Sequence, residues 1–181
     1  MKIAVAPLLV FLAVTPLAAA QTEAKPPAPA SKNGFRAEFV RDLDAVQTKI
    51  LDLARAIPAE KYTWRPADGV RSISEVFMHI AGGNYFLGTF LGVQPPAGMP
   101  KDLEKITDKA QVLAELQKSF DHLRSIVKNI SDADLEKAVT LFGNPTTQRG
   151  VLVTALNHLH EHLGQSIAYA RMNGIAPPWS N

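Results

Sequence analysis

Residues 39–57 read FVRDLDAVQTKILDLARAI, and this stretch decides the fold class. Its apolar side chains recur at alternating spacings of four and three residues, which places them on one face of an α-helix. These residues are Phe39, Leu43, Val46, Ile50, Leu53 and Ile57. Pro58 ends the pattern, because proline lacks the N–H group that the next helical turn requires. The stretch therefore predicts an amphipathic helix that packs against other helices.

The chain before this helix divides into two segments of different composition. Residues 1–20 have Lys2, then a short apolar run, then three alanines, which is the pattern of a secretory signal peptide with its cleavage site. The run is shorter than the ~20 residues of a membrane-spanning helix, so we expect no membrane span after cleavage. Residues 21–33 are rich in Pro and Ala without apolar periodicity, which predicts a disordered linker. We therefore expect a periplasmic or secreted protein whose folded domain covers residues 34–181.

Three further helices are predicted along this domain. Ser72 and Glu75 have the spacing of a capping box and begin the second helix. A third helix with a regular apolar stripe begins near Asp108, and either Thr146 or Thr147 caps the last one. Together with the first helix, these elements predict an all-α protein.

The connections complete the predicted architecture. Residues 93–105 contain three prolines and a glycine, which predicts a long loop between the second and third helices. Residues 139–142 are the one doubtful strand, and we expect residues 143–145 to form a turn before the last helix. The prediction is an up-down four-helix bundle with a longer central crossover loop.

Composition excludes several classes of function. The sequence has 19 Lys plus Arg against 17 Asp plus Glu, and no local run of basic residues. This balance does not supply the basic surface that binding to a phosphate backbone needs, so we expect no nucleic-acid partner. The absence of cysteine excludes disulfides, thiolate nucleophiles and Cys-ligated metal sites. Histidine is then the strongest ligand that the chain can offer a transition metal.

Two of the five histidines share one edge of the buried face of the last helix. At about 100° per residue, His158 and His162 lie near −100° and −60° from Leu159 at the centre of that face. Two imidazoles four residues apart can bind one metal ion. His160 lies near +100° by the same rotation of about 100° per residue, which predicts a surface position. His79 is the other histidine that we expect to face the interior, because it neighbours apolar positions of the second helix.

A purely structural interpretation competes with metal binding. Buried histidines commonly donate to a backbone carbonyl, and for the pair alone this interpretation is the stronger of the two. With a third histidine on a different helix, metal binding and the structural interpretation are equally well supported. Three imidazoles with one open position form the arrangement that lowers the pKa of a zinc-bound water to about 7.

Polar residues beside the histidine pair are candidate catalytic groups. Gln165 and Tyr169 continue the same helix edge, and we expect either of them to orient a substrate. Glu161, between the two histidines, completes the H-x-x-E-H pattern of a zinc-peptidase helix. No acidic residue follows in the chain to complete that ligand set, so a solvated carboxylate is the competing interpretation. Glu75 is the best candidate for a hydrogen bond to His79, although its capping role competes.

Four stretches resemble the DinB/YfiT-like superfamily of small metal-binding four-helix bundles. They are WRP at 64–66, RSISEVFMH at 71–79, HLHEHLGQ at 158–165 and YARMNGIAPPW at 169–179. The resemblance implies that one histidine of the second helix and two of the last helix bind a divalent metal ion, commonly zinc or nickel. In this sequence those positions are His79, His158 and His162.

The resemblance and the predicted export together imply a function. They favour an exported metal-dependent hydrolase or transferase with an unidentified small-molecule substrate. The first alternative is a non-catalytic bundle in the cell envelope, either metal-binding or structural. The second is a bundle whose histidines are hydrogen-bonded without metal. The apolar edge of the first helix is also compatible with a homodimer.

Overall fold

The computed structural model describes residues 34–180, so the predicted signal peptide and linker lie outside the described residues. Four α-helices and one hairpin make up this part of the chain. They are α1 (Phe35–Ala56), α2 (Ile73–Thr89), α3 (Lys109–Asn129), β1 (Ala138–Leu141), β2 (Asn144–Thr147) and α4 (Gln148–Met172). In residues 34–180, no helix combines the length and the apolar character needed to span a membrane.

The helices begin where the sequence places their caps. The Ser72 hydroxyl accepts a hydrogen bond from the Glu75 N–H, and the Glu75 carboxylate accepts one from the Ser72 N–H, so the predicted capping box is present. Asp108 caps α3 through its carboxylate, and Thr147 is the residue that caps α4. These caps satisfy N–H groups that the first helical turn leaves without partners.

The four helices form the predicted bundle. Both α1 and α2 pack against α3 and α4, so α1 and α2 lie diagonally opposite each other. Every helix contributes fully buried side chains to one core, including Leu43, Phe77, Phe120 and Leu159. The long segment between α2 and α3 crosses one side of the bundle, and its single 3-10 turn at Leu103–Lys105 packs on α2.

The hairpin before α4 differs from the predicted turn. Leu141 pairs with Asn144, so the loop consists of Phe142 and Gly143, while Asn144 and Pro145 belong to β2. Both loop residues have positive φ, at 50° and 81°. This is the pattern of a type I′ turn, whose twist matches that of the two strands. Pro145 is tolerated because every strand of a two-stranded hairpin is an edge strand.

A histidine outside the predicted metal site is packed between α2 and α3. The His122 ring lies 5.3 Å from the Tyr85 ring, centroid to centroid. Its Nε2 is buried and finds no hydrogen-bond partner within residues 34–180. Burial lowers the pKa of His122, because the imidazolium form loses its hydration.

We expect His122→Gln to make the fold less sensitive to acid. A histidine whose pKa is lower in the folded than in the unfolded state takes up a proton on unfolding, so stability falls as pH drops below about 6.5. Urea unfolding in the presence of chelator measures the free energy of unfolding at pH 7 and pH 5. The decrease between these pH values should be smaller in the variant than in the wild type. An equal decrease in both proteins would contradict a lowered pKa of His122 in the folded state.

Candidate metal centre

Two packed helices bring three histidines together. His79 lies on α2, and His158 and His162 lie one turn apart on α4. One ring nitrogen from each residue lies within 4.8 Å of the other two. The three ring centroids are separated by 4.5 to 5.1 Å. The structure therefore assembles the three residues that the resemblance implies as ligands.

His79 and His158 are held in the neutral form that binds metal. Burial, reinforced by the neighbouring imidazoles, lowers the pKa of His158 to about 4. Burial also lowers the pKa of His79, and the positive charge of Arg71 adds to this effect. Both rings are thus uncharged at neutral pH, and an uncharged imidazole has a lone pair to donate to a cation.

Gln165 and Tyr169 support His162. The His162 Nδ1 lies 2.8 Å from the Gln165 Oε1, so this nitrogen carries the proton and the Nε2 lone pair is free for a metal. The Gln165 amide donates to the Tyr169 hydroxyl at 3.1 Å, and the Tyr169 ring meets Trp64 edge-on. These hydrogen bonds indicate that Gln165 and Tyr169 position His162, and their predicted contact with substrate stays a prediction.

A loop carboxylate takes the position expected for Glu75. The Glu104 Oε1 lies 3.3 Å from the His79 Nδ1 and also accepts a hydrogen bond from Arg71. Glu75 is engaged elsewhere, in its cap and in an ion pair with Arg65 at 3.0 Å. The sequence did not point to Glu104, because it lies in the crossover loop, 25 residues from His79, where no periodicity relates the two.

The surroundings of His158 fit a site that holds a metal ion. The His158 Nδ1 is buried without a hydrogen-bond partner in the described part of the chain, which is costly for a polar atom. The ring also lies directly on Gly83, where an added Cβ would be 2.9 Å from Nδ1. Only glycine leaves room for this ring. Three imidazoles form a donor set suited to zinc or nickel.

Two of the three histidines, His79 and His158, line a cavity of about 520 Å³. Glu161 lines it together with His79 and His158, so the predicted carboxylate shares the space next to the site. The other lining residues are Gly82, Gly83, Phe86, Leu87, Phe142, Thr154 and Asn157. His160 is exposed, as predicted, and its Nδ1 contacts the Leu156 carbonyl at 2.9 Å.

The family of the chain follows from a match over most of its length. Residues 42–166 match the family model of the DinB superfamily. The chain belongs to the DinB superfamily. This membership confirms the family resemblance seen in the sequence. No curated protein matches this DinB-superfamily chain significantly.

Solved structures of three bacterial proteins have a fold similar to that of this chain. A DinB-like protein from Bacillus cereus ATCC 10987 has a TM-score of 0.71 at 18% identity, covering 80% of this chain and 97% of its own. A conserved protein from Enterococcus faecalis has a TM-score of 0.61 at 15% identity, covering 76% and 96%. YfiT from Bacillus subtilis, described as a probable metal-dependent hydrolase with an unusual four-helix bundle topology, has a TM-score of 0.62 at 19% identity, covering 85% and 95%. At these identities the likeness establishes the fold.

We expect His158→Ala and His162→Ala each to weaken zinc or nickel binding by more than about 100-fold, since each removes one of three ligands. His160→Ala is the matched control, because it removes an exposed imidazole from the same helix. Titration against a chromophoric chelator gives the affinity, and elemental analysis gives the metal content. Full metal content in both ligand variants would contradict the assignment.

The close contact between Gly83 and His158 generates a second prediction. Gly83→Ala should weaken metal binding about tenfold or more, because the new methyl group displaces the His158 ring. Gly82→Ala is the control: its added Cβ would lie 3.7 Å from Leu103 and meets no histidine. The control should keep its metal affinity and gain up to about 1 kcal/mol of stability from better helix propensity. Equal metal affinities in the two variants would show that Gly83 does not position His158.

Proposed function

We propose that this protein is an exported metal-dependent hydrolase that acts on a small-molecule substrate. The observation that carries the proposal is that two members of the three-histidine cluster, His79 and His158, line a cavity that Glu161 lines as well. Export is supported by the signal-peptide pattern of residues 1–20. The description of YfiT from Bacillus subtilis as a probable metal-dependent hydrolase is consistent with this proposal.

The ligand count favours catalysis over a closed structural site. In residues 34–180, no fourth histidine or carboxylate joins the cluster formed by His79, His158 and His162. Structural zinc sites use four protein ligands, whereas catalytic ones use three and keep a position open. A divalent ion held by these residues would supply Lewis-acid chemistry, polarising a substrate carbonyl and making water more acidic.

The other polar residues around the site have different proposed roles. Gln165 and Glu104 fix the orientation of His162 and His79 through their Nδ1 atoms. Glu161 is the carboxylate that lines the cavity, and as a general base it would accept the proton of the attacking water. The same group would then return a proton to the leaving group. Thr154 and Asn157 add neutral polar groups to the wall.

The proposal predicts metal-dependent turnover. Protein stripped of metal and reloaded with zinc or nickel should hydrolyse at least one member of a panel of carboxylic esters, lactones and thiol conjugates. His158→Ala should abolish this activity, and His160→Ala should keep it. Glu161→Gln should lower kcat by about 10²-fold to 10⁴-fold, the usual contribution of a general base, without changing metal content.

Two outcomes would count against this prediction. If no substrate in the panel is turned over faster than by the His158→Ala variant, the protein is not a hydrolase of these classes. A full kcat in Glu161→Gln would assign this carboxylate to the solvated surface and remove it from the mechanism.

A further inference from the structure

Three phenylalanine rings pack together beside the histidines, and two of them, Phe86 and Phe142, line the cavity. Phe86 lies on α2, Phe90 follows the last residue of that helix, and Phe142 lies at the tip of the β1–β2 hairpin. The Phe86 ring is 5.2 Å from the Phe90 ring and 6.1 Å from the Phe142 ring, centroid to centroid. Phe86 is nevertheless 51% exposed and Phe142 is 64% exposed. The rings contact each other but leave much of their surface open beside the cavity.

The Phe142 residue that brings its ring to the cavity has a strained backbone conformation. Its φ is +50°, a left-handed conformation that bulky residues seldom adopt. At this position of a type I′ turn, asparagine before glycine is the favoured residue. Gly143 matches that preference and Phe142 does not. A residue kept in an unfavourable conformation, with most of its ring exposed at a cavity, points to a role in binding.

The polarity of the cavity changes from one end to the other. His79, His158 and Glu161 lie at the site end, whereas Phe86, Leu87 and Phe142 supply the apolar wall. In the described residues, no Lys or Arg lines this space, so an anionic group finds no cationic side chain in its wall. A volume of about 520 Å³ is within the usual range for sites that hold a small molecule.

We propose that this cavity binds a neutral carboxylic ester or amide that carries an aryl group. The aryl ring contacts Phe86 and Phe142, and the carbonyl group lies at the three histidines. Aromatic pairs prefer offset or edge-on packing at centroid distances of about 4.5–7 Å, and the exposed faces of these two rings allow both. The reactive end of this assignment rests on the proposed hydrolase function: water adds across the acyl bond, giving a carboxylic acid and the released alcohol or amine.

The experiment compares two metal-binding probes that differ only in the aryl group. Binding of phenylacetohydroxamic acid and of acetohydroxamic acid to the zinc-loaded protein is measured by calorimetry. We expect the aryl probe to bind at least about tenfold more tightly to the wild type, from burial of its ring. Phe142→Asn should reduce this ratio to below about threefold without changing the affinity for acetohydroxamic acid. Met172→Ala, which truncates another exposed apolar side chain, should keep the full ratio.

The Phe142→Asn variant also separates binding from folding. Asparagine suits the turn, so the variant should unfold at the same Tm as the wild type or higher. A lowered Tm with an unchanged binding ratio would make Phe142 a structural residue and overturn the proposal. A change confined to oligomeric state in solution would assign the rings to contacts between copies and would overturn it as well.

The remaining outcomes distinguish this inference from the proposed function. Equal affinities of the two probes for the wild type, or no binding of either, would overturn the aryl site. An aryl preference that depends on Phe142, together with no turnover of any ester, would support the binding site and reject the hydrolase. Turnover without an aryl preference would do the reverse.

Discussion

The site depends on the contact between α2 and α4 at Gly83. A side chain at this position would occupy the space of the His158 ring, so the bare backbone lets the ring approach α2. His79, one turn earlier on α2, then meets the histidine pair of α4. The glycine weakens the helix locally, and the helix tolerates this because Ser72 and Glu75 cap its first turn and apolar residues bury much of its length. The glycine therefore lowers the stability of α2 but allows the site to form between α2 and α4.

Much of the fold was accessible from the sequence because its helices are strongly amphipathic. The apolar stripe of residues 39–57 and the capping residues indicated helices, and the structure contains them. The helix rotation also separated His158 and His162 from His160. The diagonal arrangement of α1 and α2 could not be predicted, since the apolar stripes of four similar helices are compatible with more than one order of neighbours.

The parts that escaped prediction are those in which side chains from distant segments meet. Glu104 contacts His79 from a loop that has no periodic pattern. The Gln165 side-chain amide forms hydrogen bonds with His162 and Tyr169. The turn was predicted at residues 143–145 and lies at residues 142–143, because phenylalanine rarely has positive φ and Phe142 gave no turn signal. These features lie at or beside the candidate site, where departures from local sequence preferences are expected.

The hairpin has a consequence for how this scaffold can diversify. The three histidines belong to the two long helices, whose positions are set by the core, while Phe142 belongs to a two-residue loop outside that core. In the proposed function, one of the two aryl-contacting residues, Phe142, therefore lies on a different piece of the chain from the three histidines. Substitution or lengthening of residues 142–143 changes this aryl contact without disturbing the packing that positions the histidines. Variation at these two positions would test the proposed aryl preference while leaving the three histidines in place.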